Sequence, residues 1–309
     1  MKIVFMGTPD IAAVCLKGLI DSRHEVCGVF TQPDKPKGRH GEISASPVKE
    51  LAVNAGIPVF QPRSMRDGEA LGILNEIMPE VIVVVAYGKI LPSDVLSLPR
   101  YGCVNIHASL LPLLRGAAPV QWAVLNGFEQ TGVTSMQMDE GIDTGDILLS
   151  ESVKILPNET GGELLERLAP LGAKVLLETL DGLENGSIEP QKQSESDFSY
   201  APILTRETGI INWNESALTV HNKIRGLQPW PGASSVLAGK SIKIIKSVLC
   251  ENTSGLAGEV VCADKHFVVA CGDGSCVEIL ELQAPGKKPM RACDFLRGNP
   301  VETGTVIGE

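Results

Sequence analysis

The residues best suited to do chemistry are an amide, an imidazole and a carboxylate that lie close together in sequence. Asn105 and His107 are two positions apart, so on a strand their side chains point to the same face. Asp143 stands in the glycine-containing stretch 139–146. A carboxylate beside an imidazole raises its basicity and fixes its orientation, while an amide donates to an oxygen that gains negative charge. The three side chains therefore predict a site that manages protons and charge.

No obvious nucleophile accompanies these residues. Neither Ser109 nor any of the eight cysteines is obviously placed as a nucleophile between them, which favours direct attack by a substrate group over a covalent enzyme intermediate. The cysteines also lack the C-x-x-C spacing of zinc and redox sites. We therefore expect reduced structural thiols and no metal.

The elements that must position the three residues alternate between strands and helices. Short apolar runs predict strands at 2–6, 25–31, 81–86, 103–107, 133–138 and 147–153. Helical patterns lie between them, and a long amphipathic helix follows from about Gly161 to Leu183. This alternation predicts an α/β fold with a doubly wound, Rossmann-like and mostly parallel sheet.

Sites in doubly wound sheets gather beyond the carboxyl ends of the strands. His107 ends one predicted strand, and Asp143 lies just beyond the next. A right-handed crossover through a helix near 119–126 would return the chain parallel to its starting strand and set the two strand ends side by side. We therefore expect one shared site at this edge.

The length of 309 residues and the change of pattern near residue 190 predict two domains. Residues 1–189 form the α/β domain, 190–205 a polar linker, and 206–309 a domain of short strands with glycine turns, typical of a small OB-like β-barrel. The net charge is −10, yet residues 206–309 carry 11 basic and 11 acidic residues. The C-terminal domain is thus the relatively basic part and can still present a positive face.

The apolar runs are too short to cross a bilayer, and the first residues lack the apolar core of a signal peptide. We therefore expect a cytoplasmic protein with no membrane partner. A monomer is the expected state.

The order and spacing of the motifs carry a further inference. Asn-x-His-x-Ser-Leu-Leu-Pro at 105–112, Arg-Gly-x-x-Pro at 115–119 and Gly-x-Asp-x-Gly at 141–145 occur together with Gly-Thr-Pro-Asp at 7–10 and Gly-Lys-Lys at 286–288. At these residues the chain resembles the folate-dependent formyltransferases, over nearly its whole length. The resemblance implies transfer of the formyl group of 10-formyltetrahydrofolate to the α-amino group of methionine on initiator tRNA.

The resemblance also implies roles for particular residues. Asn105, His107 and Asp143 match the family's catalytic trio. We assign Asn105 and His107 to stabilising the oxyanion, and Asp143, directly or through water, to orienting His107 and relaying protons. The implied folate contacts are Ser109, Leu110, Leu111, Pro112, Tyr87, Gly88, Ile90 and Leu91. Arg39, in the loop 33–47, matches a basic residue of an insertion that enters the tRNA acceptor stem.

Candidate phosphate contacts lie in the C-terminal domain. Foremost among them are Lys287 and Lys288, which also belong to the resemblance. The others are Lys223, Arg225, Lys240, Lys243, Lys246 and Arg291.

Three other functions compete with formyl transfer to tRNA. A nucleotide-binding oxidoreductase would use the same sheet, but residues 7–12 lack the second and third glycines of G-x-G-x-x-G. A formyl-folate enzyme with water or glycinamide ribonucleotide as acceptor leaves the domain beyond residue 206 unexplained. A formyl-folate enzyme that acts on a nucleotide sugar usually carries a dehydrogenase-like domain, and this chain is too short to hold one. A non-enzymatic RNA-binding module gives no reason for Asn105, His107 and Asp143 to occur together.

Overall fold

The computed structural model describes residues 1–37, 42–250 and 255–308. The chain forms two compact units. The N-terminal unit comprises Met1–Gly116, Thr131–Val153 and Leu165–Tyr200, and the C-terminal unit comprises Ala117–Gln130, Lys154–Leu164 and Ala201–Glu309. Two short stretches that precede residue 165 therefore belong to the C-terminal unit.

The central sheet of the N-terminal unit is doubly wound. The strands described up to residue 154 are β1 (Lys2–Gly7), β2 (Glu25–Phe30), β3 (Lys35–Lys37), β4 (Glu42–Ser44), β5 (Val59–Phe60), β6 (Val81–Val85), β7 (Cys103–His107), β8 (Arg115–Gly116), β9 (Gln130–Gln137) and β10 (Ile147–Lys154). The sheet order is β10-β9-β7-β6-β1-β2-β5, and the pairs β1–β2, β1–β6, β2–β5 and β6–β7 are parallel. The predicted Rossmann-like, mostly parallel sheet is confirmed.

Helices separate most of these strands. Their bounds are α1 (Asp10–Ile20), α2 (Pro47–Asn54), α3 (Glu69–Ile77), α4 (Ser93–Leu96), α5 (Pro119–Leu125) and α6 (Gly161–Asn185). α2 shows why a helix begins where it does: the Ser46 side chain accepts the backbone N–H of Lys49, and Pro47 occupies the first helical position.

β6 lies in the middle of the sheet, and each of its five residues is buried. Ile82 and Val84 pack in a core cluster with Leu74 of α3. A continuous run of β-branched residues is typical of such a strand, because both of its faces are covered. Val84 pairs with Asn105 of β7, so the two strands leave the sheet at the same edge.

The next strand of the central sheet after β7 is β9, and it runs in the direction opposite to the prediction. β9 pairs antiparallel with β7, and His107 lies opposite Thr134. α5, the expected crossover helix, belongs to the C-terminal unit, where it packs in an apolar cluster with Leu204 and Leu227. The chain leaves the sheet at the carboxyl end of β7 and returns to it at that same end. β9 therefore runs antiparallel to β7. The predicted right-handed parallel crossover was wrong.

A loop, and not a helix, joins β9 to β10. The backbone N–H of Gln137 donates to the carbonyl of Asp146 at 2.8 Å, which closes the loop at its base. So short a connection joins antiparallel strands, since parallel neighbours need a crossover of a dozen or more residues. The helix expected between these strands is therefore replaced by a hairpin loop, and that loop carries Asp143.

The C-terminal unit is built on an antiparallel sheet. Beyond residue 199 the described elements are β11 (Tyr200–Ala201), a short 3₁₀ helix (Glu207–Gly209), α7 (Ala217–Gly226), β12 (Ala233–Leu237), β13 (Lys240–Cys250), β14 (Val260–Cys262), β15 (Phe267–Ala270), β16 (Cys276–Gln283), β17 (Met290–Arg291) and α8 (Ala292–Gly298). The sheet order is β12-β13-β16-β15-β14, with β17 also paired to β16. Register shifts near Lys246 bend the long strand β13, as bulges do. The predicted small barrel-like domain is confirmed as a curled antiparallel sheet.

Of the helices in the described ranges, none combines the length and the apolar character that crossing a membrane requires.

A buried hydroxyl pair ties α6 to β9. Thr179 donates to the carbonyl of Val175, and the Ser135 hydroxyl lies 2.6 Å from the Thr179 hydroxyl. We expect Thr179→Val to destabilise the protein by about 1–3 kcal/mol, because the buried Ser135 hydroxyl then keeps only a long hydrogen bond, 3.4 Å, to the carbonyl of Leu149. Adding Ser135→Ala removes this weakly bonded hydroxyl and should restore most of that loss. Chemical denaturation of both variants measures this, and a double variant less stable than Thr179→Val alone would contradict it.

Candidate functional site

The Asp143 carboxylate is the centre of the candidate site. Its Oδ2 accepts the backbone N–H of Gly116 at 2.8 Å and lies 3.6 Å from His107 Nδ1. Its Oδ1 accepts Nδ2 of Asn105 at 3.3 Å. The side chains of His107 and Asp143 are only 7% and 15% exposed, so little water competes for these contacts. The structure thus brings together the three residues predicted to share a site.

The second ring nitrogen of His107 is also engaged. Nε2 lies 2.9 Å from the carbonyl oxygen of Leu114. Because a carbonyl only accepts hydrogen bonds, Nε2 carries a hydrogen and Nδ1 is the nitrogen that faces Asp143. A second proton on Nδ1 would give the ring a donor toward each of its two acceptors. The arrangement therefore places Nδ1 within ion-pair reach of the carboxylate, at 3.6 Å, which is longer than a hydrogen bond.

Two sharp turns bring the surrounding backbone to the site. Leu114 has a φ of 59° and Asp143 a φ of 54°. Both values lie in the left-handed region, which residues other than glycine rarely adopt. Aspartate tolerates this conformation better than leucine does. Leu114 is held there by burial, at 1% exposure, and by its N–H, which donates to the Ser199 hydroxyl at 2.9 Å. Local strain is thus concentrated at the candidate site.

The predicted folate contacts lie at two strand ends of the same edge. Residues 86–91 follow β6 and residues 108–112 follow β7. The side chains of Tyr87, Leu91, Ser109 and Leu111 are buried, those of Leu110 and Pro112 are partly buried, and Gly88 and Ile90 are exposed.

Two of these buried groups are satisfied within the protein. The Ser109 hydroxyl donates to the carbonyl of Leu113 at 2.6 Å. The Tyr87 hydroxyl contacts the sulfur of Met65, and burial raises the pKa of Tyr87. Both side chains are therefore packed inside the protein. Of the predicted folate contacts, Gly88 and Ile90 are the exposed ones.

The predicted tRNA contacts have different outcomes. Arg39 lies outside the described residues. Lys287 and Lys288 are exposed on the turn between β16 and β17. Arg225 is only 8% exposed, and its guanidinium donates to the carbonyls of Leu156 and Glu159. The prediction that Arg225 contacts phosphate was wrong, because its charge is used to hold a loop of the C-terminal unit.

Sequence reasoning missed residues in the stretch predicted to be a linker. Gln193 donates through Nε2 to the carbonyls of Asp143 and Gly145, and Ser199 holds Leu114. Arg115 belongs to the Arg-Gly-x-x-Pro motif, and its Nε donates to Gln193 Oε1 at 2.9 Å. That motif was the one available signal, since a polar segment without periodicity does not reveal what its side chains contact.

A metal site is not found among the described side chains: no group of three or more histidine, cysteine, aspartate or glutamate residues there is arranged to hold an ion.

Comparison with known proteins matches most of the chain to models of formyl transferases. The family model described as "Formyl transferase" matches residues 1–180, and the model described as "Formyl transferase, C-terminal domain" matches residues 203–300. A methionyl-tRNA formyltransferase from Alkaliphilus oremlandii is 46% identical over the full length of both chains. One from Lachnospira eligens is 48% identical, again with complete coverage of both.

Solved structures share the fold at lower identity. An N-formyltransferase from Helicobacter canadensis, in complex with folinic acid and dTDP-3-aminofucose, aligns with a TM-score of 0.70 and 21% identity, covering 92% of this chain and 99% of that one. HypX from Aquifex aeolicus, in complex with tetrahydrofolic acid, aligns with a TM-score of 0.66 and 19% identity. That alignment covers 96% of this chain and 47% of HypX.

The hairpin loop that carries Asp143 has no room for a side chain at Gly145. A Cβ there would lie 1.7 Å from the carbonyl oxygen of Gln137. We expect Gly145→Ala to cost about 1–3 kcal/mol of stability and to shift the NMR signal of the Gly116 amide, which donates to Asp143.

Gly72→Ala is the matched control for this substitution. Gly72 lies on α3, and a Cβ there meets nothing within 4 Å. Alanine should stabilise the helix by about 0.5–1 kcal/mol and leave the Gly116 signal in place. If Gly145→Ala melts like the wild type with an unshifted Gly116 signal, the crowding argument is wrong.

Proposed function

The chain belongs to the formyl transferase family, and we propose that it transfers the formyl group of 10-formyltetrahydrofolate to the α-amino group of methionyl initiator tRNA. The observation that carries the proposal is the convergence of Asn105, His107 and Asp143 at one edge of the sheet. The full-length relatives named methionyl-tRNA formyltransferase support the choice of acceptor. The reaction is a direct transfer, without a covalent enzyme intermediate.

The chemistry begins with attack by the neutral amine nitrogen on the formyl carbon. A C–N bond forms, the formyl oxygen becomes an oxyanion, and the nitrogen becomes a cation that must lose a proton. Collapse of the oxyanion then breaks the bond to the folate nitrogen, which takes up a proton. The site therefore needs a donor for the oxyanion and a carrier for one proton.

His107 and Asp143 supply the proton carrier. Nδ1 faces Oδ2 at 3.6 Å, while the hydrogen on Nε2 is held by the Leu114 carbonyl. A proton leaving the amine can be held between Nδ1 and Oδ2 and then delivered to the folate nitrogen. With that proton bound, the imidazole is positively charged beside the developing oxyanion and stabilises it.

Asn105 supplies the neutral donor. One hydrogen of its amide is used by Asp143 Oδ1, which fixes the plane of the group. The second hydrogen is then directed by that contact and can donate to the oxyanion. Such a fixed donor is worth about 3–4 kcal/mol of transition-state stabilisation.

The folate pocket is proposed at the two strand ends beside this trio. Its residues are Ser109, Leu110, Leu111, Pro112, Tyr87, Gly88, Ile90 and Leu91. A flat pteridine needs apolar walls with backbone groups at their edges. The buried apolar side chains among these residues provide the walls, and exposed Gly88 leaves the backbone open.

The tRNA surface is proposed on residues 206–309, with 1–189 as the catalytic domain and 190–205 as a linker. Exposed Lys287 and Lys288 are its phosphate contacts, and Arg39 contacts the acceptor stem. We also propose that the protein acts in the cytoplasm as a monomer.

A formyl-transfer assay tests the proposal. Purified protein is given 10-formyltetrahydrofolate and charged initiator tRNA, with elongator methionyl-tRNA, glycinamide ribonucleotide, a nucleotide amino sugar and water as competing acceptors. Formyl-methionyl initiator tRNA is the expected product. Hydrolysis of the folate without transfer, or preference for one of the other acceptors, would overturn the proposal.

Single substitutions test the proton carrier. We expect Asp143→Asn and His107→Ala each to lower kcat by about 10²–10⁴-fold, because each removes one half of the proton-holding pair. The melting temperature of Asp143→Asn should change little, since this substitution keeps the shape of the side chain. Near-normal turnover by either variant would remove that residue from the mechanism.

Salt dependence tests the proposed phosphate contacts. We expect Lys287→Ala with Lys288→Ala to raise KM for tRNA and to lower the slope of log affinity against log salt by about 1–2, with kcat unchanged. Lys265→Ala is the control, since Lys265 is an exposed lysine of the same unit that is not a proposed contact. An unaltered salt slope in the double variant would exclude these lysines.

A further inference from the structure

Gln193 makes three hydrogen bonds at the base of the loop that carries Asp143. Its Nε2 donates to the carbonyl of Asp143 at 2.9 Å and to that of Gly145 at 2.7 Å. Its Oε1 accepts Nε of Arg115 at 2.9 Å. A carboxamide alone offers two N–H hydrogens and an acceptor in one plane, so the residue type matches its three partners.

Arg115 is itself held in place. It is only 5% exposed, and its guanidinium carbon lies 4.9 Å from the centre of the Phe198 ring. Its backbone N–H donates to the carbonyl of Ser199 at 2.8 Å. A buried cation with an aromatic face on one side and an amide oxygen on the other has little freedom to move. Arg115 therefore fixes the orientation of the Gln193 amide.

The two carbonyls that Gln193 binds lie on either side of Thr144. Binding both of them fixes the turn at Asp143, whose φ of 54° is in the left-handed region. The carboxylate leaves this same turn and reaches Gly116, Asn105 and His107. Since Gly116 follows Arg115 directly, one short segment supplies both the partner of Gln193 and the N–H donor to Asp143.

We propose that Gln193, oriented by Arg115, is a positioning residue that holds the turn at Asp143 and so keeps the Asp143 carboxylate facing His107. The proposal rests on the proposed function for its kinetic consequence. Gln193 touches no reacting atom and acts through Asp143.

The chemistry of the amide distinguishes substitutions. Gln193→Glu keeps the size of the side chain but places carboxylate oxygens against two carbonyl oxygens, which leaves both carbonyls without a donor. Gln193→Leu removes the donors and the acceptor together. We expect both variants to release the turn, with the larger effect in Gln193→Glu because its carboxylate repels the carbonyls.

Steady-state kinetics provide the main test. A displacement of about 1 Å at the reacting groups costs about 100-fold in rate, so kcat of Gln193→Leu should fall by about that factor while KM for folate and for tRNA stay near their wild-type values. Gln191→Leu is the matched control, since Gln191 is an exposed glutamine of the same segment. A wild-type kcat in Gln193→Leu, or a change in KM alone, would overturn the proposal.

A double-mutant cycle tests the route through Asp143. In an Asp143→Asn background the carboxylate is already lost, so adding Gln193→Leu should lower kcat no further. Full additivity of the two losses would show that Gln193 acts by another route, and the proposal would fall.

Hydrogen exchange separates this proposal from the proposed function. The amide of Gly116 donates to Asp143, so it should exchange faster in Gln193→Leu than in the wild type and in Gln191→Leu, whatever reaction the enzyme performs. Faster exchange in an enzyme that fails to formylate tRNA would leave the positioning role standing and remove the proposed function. Unchanged exchange would remove the positioning role.

Discussion

The burial of the Asp143 carboxylate is the constraint around which the candidate site is arranged. A carboxylate at 15% exposure needs hydrogen-bond donors to replace lost water. Gly116 provides a backbone N–H and Asn105 an amide, and His107 places a ring nitrogen 3.6 Å away. These partners come from two segments of the chain, β7 and the segment after it, so both must be in register with the hairpin loop that carries Asp143 for the charge to be tolerated.

The antiparallel hairpin explains how the loop reaches β7. Since β9 runs backwards beside β7, the loop that follows it starts near the beginning of β7 and must fold back along the strand to bring Asp143 to His107. That return depends on the left-handed turn at Asp143. It also depends on glycine at position 145, where the carbonyl oxygen of Gln137 lies too close for a side chain. A parallel crossover would have needed a longer connection and would have brought in its loop from the other end.

The polar segment after α6 has more than a connecting role. Gln193 and Ser199 bind backbone groups of the two turns at the site, and Arg115 joins them to the motif that follows β7. Relatives of the same fold are known in complex with folinic acid and an amino sugar nucleotide, or with tetrahydrofolic acid, at about one-fifth identity. A shared fold does not fix the acceptor, so substrate choice must be sought in the residues around the site.

The sequence by itself determined the parallel core, the residue types of the site and the presence of a small antiparallel domain. The run 81–85 is β-branched throughout, and the spacing of Asn105 and His107 places both on one strand face, because these are local properties of the backbone. Only the tertiary structure decided the direction of β9, the burial of Arg225 and the hold of Gln193 on the Asp143 turn. Each of these depends on partners far away in sequence: α5 packs among residues of the C-terminal unit, and Gln193 binds a turn about fifty residues before it. Such contacts are chosen by packing and by the need to satisfy buried polar groups, and neither leaves a periodic signal along the chain.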